Sequence, residues 1–233
     1  MKLGVLKTGR PPSTLSPQFG TYPDMFKRLL GEDAYDYAVY AADEGELPAS
    51  PKDCDAYLVT GSSAGAYEPL PWIGPLKDFL NAAKGRAALV GICFGHQIMA
   101  EAFGGRVIKS PKGWGLGEQE YRVLKREPWM DDVASFRLPG SHQDQVVELP
   151  PGAEIIAANE LTPMGALAWR DQPAISIQLH PEFEPAYASA LIENRRGSRY
   201  TDEEAERALA SYRLPDDRAR VGGWLKNFLK PAT

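Results

Sequence analysis

Residues Ala87-Ala88-Leu89-Val90 run directly into Gly91-Ile92-Cys93-Phe94-Gly95-His96-Gln97, and a helical pattern follows as far as Gly104-Gly105. An apolar run, a small-x-Cys-x-Gly unit and a helix make a strand, a tight turn and a helix. That commits the chain to a βα unit with a cysteine lifted to the end of a sheet. The flanking glycines leave room for a strained backbone at the bend. The thiol then stands at a helix N-terminus, where the dipole and free N–H groups favour a thiolate. The competing reading of Cys93 is a small, unreactive core residue at a strand end. The residues further along the chain bear on that choice.

The pattern around this unit is a βαβ alternation. Leu3–Leu6, Tyr37–Tyr40, Tyr57–Val59 and Ala87–Ile92 read as strands, the third stopped by Thr60-Gly61-Ser62-Ser63. Phe26, Leu29 and Leu30 give a short helical stripe, and Ile73 to Ala83 has helical spacing. Residues 10–20 carry three prolines and read as a loop. Such alternation implies a mostly parallel sheet covered by helices on both faces. From Arg106 the character changes to short strand-like segments: Val107-Ile108, Tyr121–Leu124, Val146-Val147, Ile155-Ile156 and Ala166–Trp169. Glycine and proline separate them, so they read as an antiparallel extension of the sheet or a small added sheet. Ala174–Gln178 is a last core strand. Beyond Pro185 the pattern is helical, with a capping box at Thr201-Asp202-Glu203-Glu204 and a terminal stripe of Val221, Trp224, Leu225, Phe228 and Leu229. With no repeat and no long linker, one domain over residues 1–233 is expected.

Composition narrows the function. A chain of 233 residues, 43% hydrophobic and 24% charged, can bury a substantial core. The net charge of −5 and the lack of a basic block argue against nucleic acid as a partner. No apolar run approaches the ~20 residues that span a bilayer, and Lys2 and Lys7 bracket too short an apolar start for a signal peptide. A soluble, cytoplasmic protein with no membrane partner is the expectation. The two cysteines, Cys54 and Cys93, suggest no disulfide framework, and Cys54 reads as a partly buried bystander.

The second chemical feature is Gln178-Leu179-His180-Pro181-Glu182, at the end of the last core strand. An imidazole can take a proton from Cys93, and a carboxylate two residues on can hold its other ring nitrogen and fix the tautomer. Pro181 stiffens the link between them. In open parallel sheets the functional crevice lies beyond the carboxyl ends of the strands, which is where both Cys93 and His180 fall. Glu184 is a rival orienter. A structural histidine is the bland alternative. A zinc deaminase would need a downstream Pro-Cys-x-x-Cys, and no cysteine follows Cys93. A zinc site from His96, His142 and His180 would leave the cysteine turn without a role. No metal and no cofactor is expected.

With these two motifs in place, the chain resembles the class I (triad) glutamine amidotransferases, most nearly the amidotransferase domain of GMP synthase and its stand-alone relatives, including plant γ-glutamyl peptidases. The resemblance runs over nearly the whole chain and is strongest at Gly91–Gln97 and His180-Pro181-Glu182. It implies a three-layer, flavodoxin-like α/β fold and a triad of Cys93 as nucleophile, His180 as base and Glu182 as orienter. That triad would cleave a γ-glutamyl amide through a thioester. It further implies oxyanion-hole N–H groups from Ser62 and Phe94, although Thr60-Gly61-Ser62-Ser63 departs from the usual Gly-Gly-Pro turn. The family's Ser-His-x-Asp segment is matched by Ser141-His142-Gln143-Asp144. It implies Asp144 for the substrate's ammonium and His142 or Gln143 main chain for its carboxylate, with Gln97 pointing the same way. For each of these a turn or capping role competes. The chain carries no phosphate-cradling G-x-x-x-x-G-K-[ST] loop, so an ammonia acceptor is expected on another polypeptide, a synthase subunit, or not at all. Free glutamine and γ-glutamyl peptides or conjugates compete as the small-molecule substrate. Residues 10–20 and 62–71, with Tyr22 and Tyr67, are expected to border the leaving group. A non-catalytic regulatory subunit of a synthase is the alternative from another functional class.

Overall fold

Leu3 and Val5 face one side of the first strand and Leu6 the other, and the two sides are buried in two different cores. That alternation sets the layering of the computed structural model, which describes residues 1–230. In chain order the strands are β1 (Lys2–Leu6), β2 (Asp36–Tyr40), β3 (Ala56–Val59), β4 (Ala88–Ile92), β5 (Arg106–Lys109), β6 (Gly115–Val123), β7 (Ser135–His142), β8 (Asp144–Glu148), β9 (Ala153–Ala158), β10 (Ala166–Trp169) and β11 (Ala174–Ile177). The helices are α1 (Ser16–Phe19), α2 (Tyr22–Leu30), α3 (Ile73–Ala83), α4 (Phe94–Ala102), α5 (Pro185–Arg195), α6 (Asp202–Ser211) and α7 (Arg218–Leu229).

Nine strands form one sheet in the order β2-β1-β3-β4-β11-β10-β9-β6-β7. The half from β2 to β11 is parallel, and every pairing from β11 to β7 is antiparallel. One core packs Leu3, Val5, Leu58, Val90 and Ile92 against Phe26 and Leu30 of α2 and Val221, Trp224 and Leu225 of α7. The opposite core packs Leu6, Tyr57, Val59 and Leu89 against Leu76, Phe79 and Leu80 of α3 and Ile98 and Met99 of α4. This is the three-layer α/β architecture with an antiparallel extension. The small added sheet exists as well, as the separate pair β5-β8. The capping box at Thr201 is present: Glu204 N donates to Thr201 Oγ1 at 3.2 Å and Thr201 N to Glu204 Oε2 at 2.9 Å.

Three expectations need correction. The loop over residues 10–20 contains the short helix α1, started by Pro17 in its first turn. β6 begins at Gly115, well before Tyr121, and stops short of Leu124. β7 has no counterpart among the expected strands, because Pro139-Gly140 interrupts its pattern. As the last strand of the sheet it can hold a proline, since no further strand pairs with its outer edge. That free edge has a use: Pro139 O accepts a 2.9 Å hydrogen bond from His180 N. No helix among the described residues is long and apolar enough to cross a membrane.

Candidate active site

The bend between β4 and α4 is strained. Cys93 has φ 55° and ψ −104°, and it is the sole non-glycine residue with positive φ among the described residues. Such a conformation costs on the order of 1–3 kcal/mol and persists where the surroundings over-determine it. Here they do so from both sides. Cys93 N donates to Ile177 O of β11 at 2.9 Å, and Cys93 O accepts from Gln97 N at 3.1 Å in the first turn of α4. Gly91 and Gly95 let the helix lie down on the sheet. A β-carbon at Gly91 would stand 2.5 Å from Gly95 O and 2.6 Å from Met99 Sδ, and one at Gly95 would collide with Val59 O.

The strand next to β4 delivers the imidazole. His180 follows the end of β11, is 3% exposed, and its Nδ1 lies 2.7 Å from Glu182 Oε1. Glu182 is itself buried, and its second oxygen has no hydrogen-bond partner among the described residues. The segment is pinned from two directions, by Pro139 O on His180 N and by Arg218 Nε of α7, which donates to Pro181 O at 3.1 Å. The ring of Phe183 stacks on the imidazole at 3.8 Å and 6°. Gly61 closes the gap between the two motifs: a β-carbon there would stand 3.1 Å from His180 Cε1 and 3.8 Å from Cys93 Cβ. Burial works against charge on the imidazole. The negative charges of Cys93 and then Glu182 work for it and prevail, so the pKa of His180 is pushed up to about 10. Glu184, the rival orienter, is half exposed, pairs with Arg28 at 3.6 Å, and stands at the start of α5 instead.

Cys93 opens onto a cleft of about 390 Å³. Ser62, Gln97, Ser141, His142, Gln143 and Asp144 line it with Cys93, so most of the expected site residues share one wall or another. Phe94 lies beneath, fully buried against Trp72. The main-chain N–H groups of Ser62 and Phe94 have no acceptor among the described residues. Gln97 is a brace: its Nε2 donates to Asp144 O at 2.9 Å and to Gln178 Oε1 at 3.1 Å. Burial raises the Asp144 carboxyl above its ordinary value, while a hydrogen bond from Tyr67 and the charge of Lys109 oppose the rise. His142 and His96 are buried neutral rings. Burial, then the neighbouring His142, holds His96 down at about 3, and burial holds His142 at about 4. His96 Nδ1 meets Ser176 Oγ at 2.8 Å and His142 Nδ1 meets Asp144 O at 3.3 Å. Each of the three histidines is thus tied to its own partner.

Two expectations about the rim differ. No residue of the segment 10–20 lines the cleft, and Tyr22 is buried behind Phe183 at a ring separation of 5.9 Å. The segment instead packs on α5 through Phe19 and Tyr187. Tyr67 does line the cleft, 46% exposed. Sequence reasoning missed Arg195 and Arg199, which also line it. A charged residue ending a helix reads as part of a solvated face, and only the packing of α5 against Ser141 reveals otherwise.

The model of the family Glutamine amidotransferase class-I matches residues 22–195. Gamma-glutamyl peptidase 4 of Arabidopsis thaliana is 30% identical over 175 residues, covering 71% of this chain and 69% of the relative. A glutamine-hydrolyzing GMP synthase subunit of Pyrococcus abyssi is 37% identical over 101 residues, covering 40% of this chain and 50% of the relative. A crystal structure of a glutamine amidotransferase from Thermotoga maritima superposes with a TM-score of 0.75 over 97% of this chain and 96% of that one, at 18% identity. The family match runs from the first residue of α2 to the last of α5 and takes in both the cysteine bend and the His180–Glu182 pair. The chain belongs to the class-I glutamine amidotransferase family.

Proposed function

We propose that the protein is a cysteine hydrolase whose single domain, residues 1–233, cleaves a γ-glutamyl amide through a thioester on Cys93. The observation that carries this reading is the 2.7 Å His180–Glu182 pair set beside a cysteine held at φ 55°. Cys93 Sγ attacks the side-chain carbonyl carbon, forming a C–S bond and a tetrahedral oxyanion. The N–H groups of Ser62 and Phe94 receive that oxyanion, and a main-chain donor of this kind is worth on the order of 10²–10³ in rate. His180, protonated, gives its proton to the departing nitrogen as the C–N bond breaks. The neutral ring then takes a proton from water, whose oxygen attacks the thioester. The C–S bond breaks, and glutamate and the free Cys93–His180 pair return. Glu182 holds Nδ1 throughout and offsets the ring's charge. Asp144 holds the ammonium of the γ-glutamyl group, and the main chain of His142 or Gln143 its carboxylate.

A second reading keeps the chemistry and changes the fate of the nitrogen: glutamine is the substrate, and ammonia passes to a synthase subunit. The likeness to a GMP synthase subunit over 101 residues favours it. The test measures ammonia from glutamine and amine from a γ-glutamyl dipeptide, with Cys93→Ser as control. Turnover that disappears in Cys93→Ser supports the hydrolase. Inactivity on both, with no labelling of Cys93 by a diazoketone analogue of glutamine, refutes it.

A further inference from the structure

We propose that Arg195, with Arg199 at the rim, binds a carboxylate on the leaving amine, so that the cleft serves γ-glutamyl derivatives of amino acids or peptides in preference to free glutamine. The proposal rests on the hydrolase reading above. Arg195 ends α5 and lines the cleft that holds Cys93. Its Nη1 donates to Ser141 Oγ at 3.1 Å and to Tyr200 Oη at 3.3 Å. Among the described residues no carboxylate lies within ion-pairing distance of Arg195 or of Arg199. The acids nearby are in use: Arg196 holds Glu193 at 2.8 Å and Glu206 at 2.8 Å, and Arg28 holds Glu184. A half-buried guanidinium met only by two hydroxyls is a charge awaiting a counterion. Its planar fork matches a carboxylate with two parallel hydrogen bonds.

Position decides which carboxylate. The leaving nitrogen must lie at the imidazole, because His180 protonates it. A column of rings leads from the imidazole to α5. Phe183 stacks on His180 at 3.8 Å, Tyr22 stacks on Phe183, and Tyr187 Oη donates to Tyr22 Oη at 3.4 Å. Arg195 lies just over two turns along α5 from Tyr187, and the Tyr22 hydroxyl is within electrostatic reach of Arg195, Cys93 and Glu182 together. Glu68 and Asp144 supply the acidic part of the cleft, suited to the γ-glutamyl ammonium. Ammonia leaving from glutamine presents nothing to Arg195, whereas an amino acid leaving through its nitrogen presents a carboxylate two bonds away.

The test compares kcat/KM for γ-glutamylglycine, γ-glutamylglycinamide and glutamine in the wild type, Arg195→Gln and Arg195→Lys. The proposal expects the wild type to favour γ-glutamylglycine over its amide at least tenfold, through KM. Arg195→Gln brings the ratio near one, and Arg195→Lys keeps part of it. A wild type that turns over all three without preference overturns the proposal alone. An Arg195→Gln variant that loses all three substrates in equal measure also overturns it, since Arg195 then serves the γ-glutamyl group itself. Wild-type inactivity on all three overturns the hydrolase reading and this proposal with it. Thermal unfolding of each variant separates loss of binding from loss of fold.

Discussion

Glu182→Gln is the sharpest perturbation of the site. The amide keeps the shape of the side chain and an acceptor for Nδ1, and removes one of the two negative charges that hold the His180 proton. The interval from the ordinary imidazole value of 6.5 to about 10 corresponds to ~5 kcal/mol in favour of the charged ring, at about 1.4 kcal/mol per pH unit. That balance is net of burial, which pulls the other way. Burial stays when one of the two opposing anions goes, so the imidazole should fall by more than about two pH units. The ring would be almost fully charged at pH 7 in the wild type, and at pH 9.5 mostly neutral in the variant alone. The assay is kcat/KM for a chromogenic γ-glutamyl anilide across pH 6–10.5. Taking the ratio of variant to wild type cancels the titration of the substrate's own ammonium. The ratio should fall by at least roughly 20-fold between pH 7 and pH 9.5. A loss on the order of 10²–10⁴ is expected at neutral pH from the freed tautomer. A ratio that does not change with pH, in a variant with wild-type thermal stability, would refute the assignment of Glu182 as the group holding the ring.

Three more outcomes follow from the geometry. Cys93→Gly should be more stable than Cys93→Ala by about 1–2 kcal/mol in urea denaturation, reversing the usual order, because only glycine relaxes at φ 55°; equal stabilities would deny the strain. Gly95→Ala drives a methyl into Val59 O and should cost about 2–3 kcal/mol and the activity with it, read by the same denaturation and by turnover. The third concerns acid. His142, with a folded value of about 4 against an ordinary 6.5, binds a proton more readily unfolded, so its stabilising effect is present above pH 6.5 and lost as pH falls toward 4. Glu118, held up to about 7 chiefly by burial, works in the opposite direction between 4.5 and 7. The clean measurement is therefore a difference. The stability of His142→Gln relative to wild type should rise by about 1.4 kcal/mol per pH unit on going from pH 6.5 to 4.5.

The parts of the fold legible in the sequence are those whose signals are local. The bend at Cys93 is written in two glycines spaced to let one helix cross two strands, and the start of α6 in a reciprocal Thr201–Glu204 cap. β7 is hidden because a proline in a strand is tolerated only at an edge, and edge position is a property of the assembled sheet. The site divides in the same way. His180 and Glu182 are two residues apart and their pairing is readable from the chain. Arg195 enters the cleft only because α5 packs its end against Ser141 of β7, 54 residues away. Gln97, expected to face substrate, has its amide engaged by Asp144 and Gln178, contacts that no spacing rule foretells.

The central claim is that Cys93 forms the acyl bond. Mixing the protein with a γ-glutamyl substrate, quenching in acid within the first turnover and mapping peptides by mass spectrometry tests it directly. The account predicts a γ-glutamyl mass on the peptide carrying Cys93, diminishing as substrate is exhausted, and none on the peptide carrying Cys54. Turnover without an adduct on Cys93, or an adduct on Cys54 instead, would contradict it.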